Sequence, residues 1–134
     1  MPTLQQRETL YQASIYGGMA INPTGTVFPH NVGYYLTEHY AIPHGFACAA
    51  FLPELLKHVW EQAPALCAAF YEDCGTSEEE LVNLAKKVVP IRGIRLSEDE
   101  IRTALPRWEN NGTVRNTVGT VTMEQIAEML RKEF

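Results

Sequence analysis

The sequence has no apolar run near the roughly 18–20 residues a membrane-spanning helix needs. Its first residues, Met1-Pro2-Thr3-Leu4-Gln5-Gln6-Arg7, lack the apolar stretch of a secretory signal. No membrane partner and a cytoplasmic location are therefore expected. Positive charge is scarce: eleven Lys and Arg stand against sixteen Asp and Glu, for a net charge of -5, and no basic cluster exceeds Lys86-Lys87. Nucleic acid would find no electrostatic footprint here. Cysteine is limited to Cys48, Cys67 and Cys74, an odd set without metal-finger spacing. Reduced thiols are expected, with Cys48 and Cys67, set among Ala, Phe and Leu, behaving as small hydrophobes. No segment alternates for long at period two, and no repeat or low-complexity tract occurs. A strand followed by a glycine-rich, phosphate-cradling turn and a helix is also missing.

What is present is apolar and helical. Hydrophobic residues make up 46% of 134 residues, enough for one core, and residues 1–134 read as one domain. Thr3 with Gln6 forms a capping box for a first helix to about Ile21, followed by an Asn22–Thr26 loop. Gly17-Gly18 inside that helix suggests a close helix–helix crossing. A buried helix is expected from about Val27 to Tyr40, and another from His44 to about Val59, kinked or broken at Pro53. Pro64 to Cys74 reads as a further helix, stopped by Gly75. Capping boxes at Ser77/Glu80, Ser97/Glu100 and Thr122/Gln125 open three more. The first is followed by a Leu81, Leu84, Ala85, Val88 stripe and the last by Met123, Ile126, Ala127, Leu130, both at helical spacing. Residues 107–121 read mostly as loop. The expected fold is a single all-α domain of about seven helices.

Of four histidines, His58 in Leu-Leu-Lys-His-Val reads as structural, near a helix C-terminus where the dipole favours an imidazolium. His39 beside Glu38 reads as a surface or capping residue. His30 and His44 differ: each lies in apolar sequence and starts a helix. A helix that runs away from a point, turns and restarts at Ile42-Pro43-His44-Gly45 can bring both imidazoles together. Metal sites are assembled in that way from sequence-distant ligands, although a spacing of fourteen is not a generic ligand motif. The Glu-x-x-His pattern of di-metal four-helix proteins is absent.

Several stretches resemble the C-terminal helical domain of the iron-containing (group III) alcohol dehydrogenases, a dehydroquinate-synthase-like fold. They are Arg7-Glu8, Ala13-Ser14, Gly17-Gly18-Met19-Ala20, His30 with Tyr35-Leu36-Thr37, Tyr40-Ala41-Ile42-Pro43-His44-Gly45, and Leu52-Pro53. Leu96-Ser97-Glu98-Asp99, Asn116 and Thr122 extend the resemblance more weakly. The resemblance implies that His30 and His44 are metal ligands, for iron or zinc. It places Ile21 where relatives line the substrate pocket. Tyr34, a second candidate for that lining, stands four residues after the first ligand, where relatives often carry another His. That departure puts a proton-relay role in doubt. The family's reaction, oxidation of a CH–OH group by NAD(P), is implied as well.

The resemblance also implies a deficit. The chain is expected to be a truncated helical domain without the nucleotide-binding domain and without the Asp and His that complete the metal's coordination. It offers only a half-site for a divalent metal, and no residue is assigned a catalytic or cofactor-binding role. Two functions follow. One is the metal-binding part of an NAD(P)-dependent oxidoreductase, inactive alone and completed by a separate nucleotide-binding chain. The other is a non-catalytic helical interaction or oligomerisation module. In the second case, apolar surface around Phe28, Tyr34, Phe46 and the Gly17-Gly18 helix should be uncovered, favouring self-association. A homodimer could then unite two His30/His44 pairs.

Overall fold

A computed structural model describes residues 1–134 and contains helices and no strand. In order they are α1 (Leu4–Thr24), α2 (Phe28–Tyr40), α3 (His44–Ala49), α4 (Leu52–Gln62), α5 (Pro64–Cys74), α6 (Glu78–Val88), α7 (Glu98–Ala104), a 3-10 turn at Leu105–Arg107, α8 (Gly112–Arg115) and α9 (Met123–Leu130). None is long and apolar enough to cross a membrane.

All four capping boxes form, at Thr3, Ser77, Ser97 and Thr122, each satisfying two backbone donors reciprocally. Gly75 ends α5 in the left-handed conformation, as its position suggests. The long helix expected from His44 breaks just before Pro53: α3 stops at Ala49 and α4 restarts at Leu52 with Pro53 in its first turn. The first helix overruns its expected end. Pro23 sits in its last turn, where a missing N–H costs one bond only, and Gly25 donates to Ile21 to close it.

The core forms where α2, α3, α7, the 3-10 turn, α8 and α9 meet, with Phe28, Val32, Leu36, Phe51, Ile101, Trp108, Ile126 and Leu130 fully buried. The α9 stripe packs as its spacing indicates. The α6 stripe is only partly covered: Ala85 is buried while Leu84 and Val88 are about half exposed on a helix whose main packing partner is α4. The 107–121 segment is more than a loop. Trp108, Val114 and Val121 are core residues, and the Trp108 indole donates to the Asn31 carbonyl. Thr117, also buried, accepts from the Phe28 amide and donates to the Thr113 carbonyl. It serves α2 as a cap supplied from far along the chain, since Val27 offers no side-chain cap.

One element stands apart. Residues 1–25 are all exposed, and α1 has no buried residue along its 21 positions. It joins the body through the Asn116 amide, which donates to the Thr24 and Thr26 carbonyls. The close crossing expected at Gly17-Gly18 does not occur within this chain: a Cβ on either glycine would meet nothing within 4 Å.

Candidate metal site

The site is built on the crossing of α2 and α3, the most closely packed pair of helices in the molecule. His30, Gly33, Tyr34 and Thr37 follow helical spacing and share one face of α2; His44, Ala47 and Cys48 share the facing side of α3. Gly33 sets the approach. A Cβ there would lie 3.0 Å from the Ala47 carbonyl carbon and 3.0 Å from the Cys48 nitrogen. Only a residue without a side chain lets these backbones meet so closely. The turn between the helices holds Ala41 in the left-handed region at φ 54°, and Pro43 caps α3 so that His44 is its first residue.

The two imidazoles meet at this crossing. Their ring centroids are 4.8 Å apart, with planes at 87°, edge to face. Tyr34 stacks on His44 at 4.2 Å and stands edge-on to His30 at 5.1 Å. Both histidines are half-buried, so the cluster opens on one side to solvent. Burial, and then the neighbouring His44, hold the His30 imidazole below its ordinary value. A neutral ring is the form that ligates a metal.

Hydrogen bonds select the tautomer of His44. The Thr37 hydroxyl donates to the Gly33 carbonyl at 3.3 Å, so its oxygen is left to accept from His44 Nδ1 at 3.4 Å. A ligating histidine typically ties up its other nitrogen in this way. Cys48 Sγ stands 3.5 Å from His44 Nε2 and 3.9 Å from Nδ1, beside the ring rather than along the in-plane direction of either nitrogen.

The donor chemistry suits iron or zinc, but only in part. No group of three or more His, Cys, Asp or Glu side chains surrounds one point. Two imidazoles make half of the four ligands a closed tetrahedral site takes. Ile21, the other pocket candidate, is exposed on α1.

The remaining sequence expectations divide. Tyr34 and Phe46 are partly exposed, at 39% and 38%, but Phe28 is wholly buried under α8 rather than uncovered. His58 is structural for a reason other than the helix dipole. It is buried, its Nε2 bonds the Val118 carbonyl at 2.8 Å, and its ring stands edge-on to Phe28. His39 lies on the surface with its ring 4.2 Å from that of Tyr35. All three cysteines are free, Cys67 buried and Cys74 exposed. Gly33 escaped the sequence reading, although its place one helical turn after His30, opposite the small Ala47, was available as a signal.

Residues 3–104 match the model of the Fe-containing alcohol dehydrogenase family, C-terminal part, and the chain belongs to that family. It is 31% identical over 97 residues to the 1,3-propanediol dehydrogenase of Citrobacter freundii, a match covering 72% of this chain and 25% of that protein. The crystal structure of an iron-containing alcohol dehydrogenase from Thermotoga maritima matches 95% of this chain with a TM-score of 0.80 and 27% identity. Another iron-containing alcohol dehydrogenase matches with a TM-score of 0.79 and 27% identity. In both cases this chain spans 34% of the larger protein.

Proposed function

We propose that this chain is the metal-holding helical part of an NAD(P)-dependent alcohol dehydrogenase, acting only when a nucleotide-binding body completes it. The observation that carries this reading is the meeting of His30 and His44 at the α2–α3 crossing, 4.8 Å between ring centroids. A metal held there would polarise an alcohol oxygen and lower its pKa. The chain's own residues have simpler tasks. His30 and His44 donate imidazole nitrogens, Thr37 orients His44, and Tyr34 walls the pair on one side. Tyr34 and Ile21 are the candidates for lining the substrate. The nucleotide and the remaining metal donors come from outside residues 1–134, where no strand is available to build a nucleotide-binding sheet.

Metal analysis and NAD(P)H titration of the purified chain test this reading. Alcohol oxidation is then assayed with and without a nucleotide-binding chain encoded beside it. Metal retention through the histidines, no NAD(P)H binding alone, and turnover only in the mixture are expected. Turnover by the chain alone would contradict the proposal.

A second reading is favoured by α1, which is apolar over much of its circumference and entirely exposed. A helix of that kind is built to be covered. A non-catalytic interaction or oligomerisation module, including a homodimer that unites two histidine pairs, would cover it. Sedimentation over a range of concentrations decides: a monomer throughout counts against this reading.

A further inference from the structure

We propose that Asn31 and Asn111 are a positioning pair for His30, holding the first turns of α2 so that its imidazole meets that of His44. The inference deepens the reading of His30 and His44 as metal ligands given above, and rests on it. The two rings are placed by different means. The Thr37 hydroxyl bonds the His44 ring directly. No side chain does the same for His30, whose ring meets Tyr34 and His44 edge to face. Its aim is set by the turn of helix that carries it. A ligating imidazole needs its orientation fixed, and here the backbone has to supply it.

The short α8 and the residues before it hold that turn. Phe28 and Asn31 are three positions apart and share a face of α2, turned away from the face that carries His30, Gly33 and Tyr34. The Phe28 amide donates to Thr117 Oγ1 at 3.1 Å, and that hydroxyl donates to the Thr113 carbonyl at 3.0 Å. The Asn31 side-chain amide donates to Asn111 Oδ1 at 3.0 Å, and the same oxygen caps α8 by accepting from the Thr113 amide at 2.9 Å. Both threads end on Thr113, so the residues on either side of His30 are tied to one small turn. The Trp108 indole adds a third hold, on the Asn31 carbonyl at 3.3 Å. Rotation of α2 about its axis is then fixed from two sides, by this clip and by Gly33 against α3. Apolar packing alone lets a helix roll; a hydrogen bond has a direction. Of the three ties on α2, only Asn31–Asn111 joins side chain to side chain, across eighty positions of sequence. Shortening Asn31 therefore cuts it without removing a partner from any backbone group.

Proton NMR and zinc titration of the full chain test the assignment. In the metal-free wild type a nuclear Overhauser contact is expected between the His30 and His44 rings. Asn31→Ala and Asn111→Ala should each lose most of that contact while keeping the one between Tyr34 and His44. Each should also bind zinc about tenfold more weakly. The double variant should be no weaker than Asn111→Ala, because both changes cut the same bond. Asn111→Asp keeps an oxygen for Asn31 and for the α8 cap, and should behave as the wild type. Ser97→Ala, which removes the α7 cap, should lower the melting temperature and leave both readouts unchanged. An unchanged ring contact and zinc affinity in both alanine variants would overturn the positioning role and leave the histidine reading intact. Equal losses in Ser97→Ala would mean general loosening and would overturn it too. A wild type that binds no zinc would overturn the ligand reading, and the ring contact alone would then decide whether Asn31 and Asn111 place His30.

Discussion

His30 and His44 face each other edge to plane, 4.8 Å between ring centroids, although fourteen residues of chain separate them. Gly33 makes the meeting possible, and Thr37 fixes the way His44 turns. If this pair holds an ion, His30→Ala and His44→Ala should each weaken cobalt or zinc binding by at least about tenfold. Removing a group that merely orients a ligand already costs about 10–100-fold. Calorimetric titration measures this, and equal affinities in all three proteins would end the ligand assignment.

Gly33→Ala should destabilise the protein and spread the site. The new methyl meets the Ala47 carbonyl group and the Cys48 nitrogen at 3.0–3.1 Å, and backbone in a packed helix yields little. Overpacking of this kind costs about 1–3 kcal/mol, against a helix-propensity gain of about 1 kcal/mol for replacing glycine. A net loss of roughly 1 kcal/mol is expected in urea unfolding. Metal affinity should fall as well, because α3 carries His44 away from His30. A Gly33→Ala protein as stable as the wild type would contradict the close crossing.

Gly18→Ala should do the opposite in the isolated chain. Its methyl meets nothing, so α1 should gain up to about 1 kcal/mol of helix stability. Helical circular dichroism should rise. Where a partner covers α1 through its glycine face, the same change should weaken association, which sedimentation would register as a shift toward the free chain.

The Tyr40 hydroxyl donates to Glu100 Oε1 at 2.8 Å and predicts pH dependence at both ends. Hydrogen bonds from the Ser97 amide, its hydroxyl and then Tyr40 hold Glu100 below the usual carboxylate value. Its stabilisation is present above the unfolded-state value and is lost as pH falls through the lowered, folded-state one. Burial first, and then Glu100, push Tyr40 up to about 12. That stabilisation is present below the unfolded value of about 10 and is lost as pH rises through the folded one. In thermal melts, Glu100→Gln should therefore flatten the acid limb and Tyr40→Phe the alkaline limb. Limbs identical to those of the wild type would show that the pair is not coupled to folding.

The sequence made legible whatever depends on neighbours three or four positions apart. Thr3/Gln6, Ser77/Glu80, Ser97/Glu100 and Thr122/Gln125 all close their boxes because cap and partner lie within one helical turn. Pro53 marks the α3–α4 break for an equally local reason, the missing N–H. The coming together of His30 and His44 was legible through the turn that Ile42-Pro43 enforces. Burial was harder to read, since it depends on distant packing. Trp108 joins the core from an irregular segment because Asn31 and Tyr35 of α2 receive it, and Leu84 and Val88 stay half exposed although Ala85 between them is buried. The adjacent Gly17-Gly18 drew attention as a crossing, while the single Gly33 performs that role opposite Ala47.

No side chain of the main hydrophobic cluster comes from residues before Phe28. The body's interior is therefore self-sufficient, and α1 is an appendage whose loss strips it of no covering. A chain shortened to start at Gly25 should keep its cooperative unfolding and its paired imidazoles. The first helix would then be free to vary with whatever it docks against, while the body keeps its shape.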